Sequence, residues 1–133
     1  MSAVEEVYTF LKKTPTWYLA TVDGDHARVR PFSNVDLYEG KIYIQTGKVK
    51  SVSKQLLANP NIEIVATDGD WTLRISCTAV TDESIAAKQH MIDANPLLVD
   101  WFKADDDNTH VLYLADATAT FSSLFEGERI VEF

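Results

Sequence analysis

Val4, Val7, Tyr8 and Leu11 fall three or four residues apart behind Ser2-Ala3-Val4-Glu5, a capping-box arrangement, and the spacing predicts a helix running to Lys12 and Lys13. Thr14-Pro15 stops it. From Trp17 the apolar rhythm shortens. Trp17 to Val22 reads as a strand, Asp23-Gly24-Asp25 as a tight turn and His26 to Leu37 as the partner strand of a hairpin. After a turn at Glu39-Gly40, Ile42 to Thr46 is a third strand. Val49, Val52, Leu56 and Leu57 then form the apolar stripe of a helix that ends at Asn59-Pro60. Ile62 to Thr67 and Trp71 to Val80 are strands about Asp68-Gly69-Asp70. In the second of them Trp71, Leu73, Ile75, Cys77 and Ala79 alternate with Thr72, Arg74, Ser76 and Thr78, giving one dry face and one polar face.

The pattern turns helical again over Thr81 to Asp93, and Asn95-Pro96 opens a second short helix. Leu97, Leu98, Trp101 and Phe102 share one side of it, a spacing that normally packs inward but also suits a cap over a site or a dimer contact. Asp105-Asp106-Asp107-Asn108 reads as a solvated loop. Thr109 to Leu114 and Ala117 to Ser123 are strands, and Glu126-Gly127-Glu128 turns the chain into a terminal strand, Ile130 to Phe133. No repeat or linker interrupts this order, so residues 1–133 are expected to form a single domain. Six or more antiparallel strands joined by hairpins, with a few helices between them, predict a mostly β fold with flanking α-helices that closes, or nearly closes, into a barrel.

Hydrophobic residues make up 46% of the chain and charged residues 24%, ordinary values for a folded protein. No apolar run approaches the roughly 20 residues that span a bilayer, and the N-terminus lacks the basic start and apolar core of a secretory signal, so a cytoplasmic location is the expectation. The single cysteine, Cys77, excludes an internal disulfide. A net charge of −8 argues against nucleic acid and anionic lipid as partners, because both require an extended positive surface.

The charge is nevertheless unevenly placed. Between Ala27 and Gln55 lie Arg28, Arg30, Lys41, Lys48, Lys50 and Lys54 against only Asp36 and Glu39, a stretch of +4 that leaves about −12 for the remainder. Arg28 and Arg30 alternate on a strand, while Lys50, Ser51 and Lys54 follow Thr46-Gly47 at a helix start and share one side of it at 100° per residue. Such a start offers free amide donors and the positive end of a dipole, so strand face and helix start together would suit a small phosphate. The alternatives are a solvated lysine face and cross-strand ion pairs from the arginines to Asp36 or Glu39. His26, His90 and His110 show no ligand spacing, so no metal site is expected. No Gly-x-Ser-x-Gly elbow, Walker motif or Gly-x-Gly-x-x-Gly fingerprint is present.

The ordered motifs Trp17-Tyr18-Leu19-Ala20-Thr21-Val22-Asp23-Gly24, Ala27-Arg28-Val29-Arg30-Pro31-Phe32, Gln45-Thr46-Gly47-Lys48, Lys54-Gln55-Leu56 and Asn59-Pro60 resemble those of the pyridoxamine 5′-phosphate oxidase-like family of split-barrel flavoproteins. Asp68-Gly69-Asp70-Trp71 and Leu73-Arg74-Ile75-Ser76 are similar to its small branch related to nitroimidazole-resistance reductases. The likeness implies a homodimer of six-stranded antiparallel split β-barrels, with one flavin mononucleotide (FMN) in each of two clefts lined by both protomers. By position it puts Arg28, Val29 and Arg30 along the flavin and Thr46 beside its phosphate, with Lys50, Ser51 and Lys54 completing the cradle. Where the oxidases often carry Ser-Arg-Lys, this chain has Lys50-Ser51-Val52. It also lacks a C-terminal Trp and Arg pair for pyridoxal phosphate, so vitamin B6 oxidation is not expected. The expected activity is FMN-dependent transfer of electrons from a reduced nicotinamide, NAD(P)H, to a small planar or nitroaromatic acceptor, with no side-chain nucleophile. A flavin- or haem-related binding module without turnover and a deazaflavin-dependent reductase are the alternatives.

Overall fold

A computed structural model describes all 133 residues. Helix α1 (Ala3–Lys13) begins where the capping box predicts, the Ser2 hydroxyl accepting from the Glu5 amide at 3.2 Å. Its Val7, Phe10 and Leu11 are buried in the main core. Strands β1 (Trp17–Asp23) and β2 (His26–Phe32) form the first hairpin. The predicted His26–Leu37 strand is in fact two, because the chain breaks at Ser33-Asn34 and resumes as β3 (Val35–Tyr38) paired with β4 (Lys41–Gly47). Pro31, which has no amide hydrogen to give a ladder, sits two residues before that break.

Helix α2 (Ser51–Ala58) follows, packing Val52 and Leu56 inward. Strands β5 (Asn61–Asp68) and β6 (Trp71–Asp82) form the next hairpin, and β6 extends two residues beyond the predicted Val80. The third helix therefore begins later than the pattern suggests, as α3 (Ile85–Ala94), with the Ser84 hydroxyl as its cap. A 3-10 turn, Pro96–Leu98, then leads to β7 (Thr109–Ser123) and β8 (Gly127–Glu132).

The strands form one eight-stranded antiparallel sheet in the order β2-β1-β5-β6-β7-β4-β3, with β8 added beside β7. The expected mostly β antiparallel fold with flanking helices is present, but in place of a six-stranded split barrel, closed or nearly closed, the sheet has eight strands and is not closed, with β2 and β3 as unpaired edges. The reason lies in β7. Its first half, Thr109 to Tyr113, pairs with β4, and its second half, Thr118 to Ser123, pairs with β8. Between the halves, Asp116 and Ala117 together oppose Cys77 of β6, and Asp116 takes a φ of 50°. This bulge reverses the alternation, so that Leu112 and Leu114 before it and Ala117, Ala119 and Phe121 after it all reach the same core. The two segments read from the sequence are therefore one strand with a change of phase.

The main core lies inside the curved sheet, between β1, β4, β5, β6 and β7 and the inner faces of α1 and α2. A smaller core on the other face of β4 joins Tyr43 and Val111 to Ala87 and Met91 of α3. Leu97 and Trp101 are about four-fifths exposed, which corrects the inward packing expected of them, whereas Trp71 packs against the main core.

Candidate functional site

Gly47 ends β4 where the chain must pass close to its neighbours. A Cβ there would lie 3.3 Å from the Asn108 side-chain amide and 3.5 Å from the Phe102 ring. Asn108 fixes the connection that follows, its carbonyl accepting from the Lys48 amide at 2.7 Å and its side-chain oxygen from the Val49 amide at 3.2 Å. Helix α2 then starts at Lys50 with no side chain capping it and no acid in its first turn. The helix is anchored from beneath: Ser53 Oγ lies 2.6 Å from His110 Nδ1, and His110 Nε2 lies 2.9 Å from Thr81 Oγ1. Burial lowers the His110 pKa. The Lys48 and Lys88 charges act in the same direction, and Glu83 opposes them.

Two hollows flank the start of α2. One, of about 230 Å3, brings together Arg30 from β2, Gln45 and Thr46 from β4, Lys50 and the side chains of Leu98 and Phe102. The other, of about 530 Å3, is lined by Val22, Asp23, Ser51, Lys54 and Gln55 among others. Arg30 of the first hollow and Gln55 of the second are joined, with Thr21, in a hydrogen-bonded triad. Arg30 Nη1 donates to Thr21 Oγ1 at 2.7 Å and to the Leu19 carbonyl at 3.3 Å, Arg30 Nη2 donates to Gln55 Oε1 at 2.6 Å, and Thr21 Oγ1 donates to the same Gln55 oxygen at 2.6 Å. None of these acceptors is a carboxylate. Three of the five N–H groups of a guanidinium are thereby used, which leaves two for a ligand. Burial lowers the Arg30 pKa, and the nearby Arg28 charge lowers it further.

Of the seven residues singled out in the sequence, Arg30, Thr46 and Lys50 line the smaller hollow and Ser51 and Lys54 the larger one. Arg28 is tied instead to Asp23, with Nε to Oδ2 at 3.1 Å, and neither Asp36 nor Glu39 takes it. Val29 projects from the edge strand and is 68% exposed. Lys48 turns to Glu83, which also takes Lys88, while Lys50 and Lys54 have no ion-pair partner. The sequence reading missed Gln45 and Gln55. Gln55 is indistinguishable from any polar helix residue until its helix is docked. Both figured only within the motifs of the resemblance, Gln45 in Gln45-Thr46-Gly47-Lys48 and Gln55 in Lys54-Gln55-Leu56, and were given no role there.

No protein-family model matches the sequence, and no curated protein does. Solved structures do match. A NimC/NimA family protein from Clostridium acetobutylicum is 30% identical, with a TM-score of 0.94 over 100% of this chain and 95% of that one. A protein from the same organism related to general stress protein 26, of the pyridoxinephosphate oxidase family, is 13% identical with a TM-score of 0.67, over 98% of this chain and 94% of its own. HutZ, the haem storage protein from Vibrio cholerae, is 16% identical with a TM-score of 0.64, over 86% and 89%. The last two share the fold. Given the first match, over nearly the whole of both chains, the chain belongs to the NimC/NimA family, and it shares its fold with a protein of the pyridoxinephosphate oxidase family.

Proposed function

We propose that the protein is an FMN-dependent oxidoreductase that passes electrons from a reduced nicotinamide to a small planar or nitroaromatic acceptor. The observation that carries this reading is the meeting of Arg30, Thr46 and Lys50, distant in sequence, on one hollow at an uncapped helix start in a chain of net charge −8. Anions are stabilised at such a start by free amides, by the helix dipole and by two ammonium groups without counter-ions. Lys50, Ser51 and Lys54 would hold the phosphate with Thr46, and Arg28, Val29 and Arg30 would lie along the ring.

Flavin, when bound, supplies hydride acceptance and electron delivery. The residues of this chain bind and orient it, and Arg30 adds positive charge that no carboxylate cancels. The exposure of Val29 on the unpaired edge strand supports a homodimer in which a second copy covers that face. The haem reading has no comparable support. No histidine lines either hollow: His90 is held by Asp36 at 2.6 Å, His110 is buried with both ring nitrogens engaged, and His26 pairs with Asp25.

The test is purification followed by anaerobic reduction. Yellow protein that releases FMN on denaturation, bleaches with a reduced nicotinamide and recolours with nitroaromatics or quinones is the expected result. Protein that stays colourless and cannot be loaded with FMN would overturn the cofactor assignment; loaded protein that neither nicotinamide bleaches would overturn the activity.

A further inference from the structure

Three buried side-chain polar atoms in the molecule have no hydrogen-bond partner: Trp17 Nε1 and both amide atoms of Gln45. Trp17 lies wholly within the main core. Gln45 is different, because it is 3% exposed and yet lines the 230 Å3 hollow that also holds Arg30 and Lys50. Native proteins pair nearly all of their buried amides, so an unpaired donor and acceptor on one side chain is costly unless something supplies the complement. Nothing in the fold does so. Gln45 faces away from the main core, towards the side of β4 that carries Tyr43, and its cross-strand neighbour is the apolar Val111.

We propose that Gln45 reads the ligand in this hollow, and that the group it reads presents a hydrogen-bond donor and acceptor side by side on a planar ring: a carboxamide, or the –CO–NH– edge of a heterocycle. Such an edge forms two antiparallel hydrogen bonds with a primary amide and satisfies both orphan atoms at once. A nitro group or a ketone offers acceptors only and leaves Gln45 Oε1 unpaired. Pro31, Phe32, Leu98 and Phe102 provide apolar walls suited to a ring. The volume is below the roughly 300–1,000 Å3 typical of sites for drug-sized ligands, so the hollow receives one end of a larger molecule or a small ring alone. The inference deepens the flavin and nicotinamide reading and rests on it only for which ring is bound. Both rings carry the required edge.

The experiment compares wild type with Gln45→Leu in two calorimetric titrations. One sets nicotinamide against 3-acetylpyridine, a neutral isostere without the amide N–H. The other sets FMN against N3-methyl FMN, which lacks the ring N–H. Wild type is expected to prefer the amide-bearing member of at least one pair by about tenfold or more, and Gln45→Leu to bring that ratio to near one. The pair that responds identifies the source of the edge. The nicotinamide pair reads out even if FMN does not bind, which keeps failure of the cofactor assignment separate. Because the substitution removes an unsatisfied amide, Gln45→Leu is also expected to unfold at a temperature no lower than wild type. Ratios near one in both wild-type titrations, a ratio unchanged in Gln45→Leu, or a marked loss of stability in that variant would each overturn the proposal.

Discussion

Arg30 Nη2 donates to Gln55 Oε1 at 2.6 Å, and this bond clamps helix α2 to the edge hairpin and links the linings of the two hollows. It gives a fixed position to a cation that Lys50 and Lys54, on flexible stems, do not have. Gln55→Ala should cost about 1 to 2 kcal/mol in denaturant unfolding, because Arg30 and Thr21 both lose a partner. Gln55→Glu should keep the clamp but neutralise Arg30, so that FMN affinity falls while stability holds. Equal FMN affinity in wild type and Gln55→Glu would show that Arg30 does not serve the ligand.

Replacing Lys50 and Lys54 together by alanine should weaken FMN binding by tenfold or more and leave the unfolding midpoint nearly unchanged. Both side chains are exposed and neither makes an ion pair. Flavin fluorescence titration measures the first effect and thermal unfolding the second. Unaltered affinity would place the phosphate elsewhere.

Asp106 organises the loop before β7. Burial pushes its carboxyl pKa up, but the amides of Lys103, Thr109 and Asn108 and the Thr109 hydroxyl outweigh burial and bring it to about 2. A carboxylate with a depressed folded pKa stabilises the protein above its ordinary value of 3.8 and loses that contribution as pH falls through about 2. Asp106→Asn should therefore be less stable than wild type at pH 7, by about 1 kcal/mol, with the gap closing below pH 4. A gap independent of pH would contradict this role.

His110 behaves in the opposite sense to a salt-bridged histidine. Burial holds it neutral between Ser53 and Thr81, so the unfolded chain takes up a proton near its ordinary pKa of 6.5 that the folded protein resists. Stability should be full above that value and decline as pH falls below it. In His110→Gln this part of the decline should vanish, as followed by urea unfolding between pH 5 and 8.

Cys77 should be inert. Burial, with a smaller contribution from the Glu63 carboxylate, pushes its thiol up to about 12, so a thiol reagent at pH 8 should react only after denaturation. Rapid labelling of native protein would mean that the pairing of β6 with β7 opens readily.

Strongly periodic elements were legible in the sequence: α1 with its Ser2 cap, the β1–β2 turn and the alternation through β6. What was lost depended on contacts between distant segments. The reach of β6 to Asp82 displaced the start of α3, since Thr81 and Asp82 pair with Leu112 and Val111 although their local pattern suits a helix. Leu97 and Trp101 mimic an inward stripe, yet Leu97 lies within the 3-10 turn and Trp101 just after it, and both are exposed. At the site, the cationic types and their approximate meeting point could be read from spacing. Their division between two hollows could not, because it is set by how Gln55 and Arg30 bond across 25 residues.

The extra residue opposite Cys77 leaves the chain no slack along β7. While β6 keeps its place, drawing Asp116 into the ladder as an ordinary strand residue would swing Thr118, Thr120 and Ser122 into the oily interior and expel Ala117, Ala119 and Phe121, since a slip of one residue inverts every later side chain. Added residues are tolerable at tips such as Leu124 and Phe125, which lie in open solvent. The strand is thus a ruler whose one offset mark keeps both ends of the molecule in step.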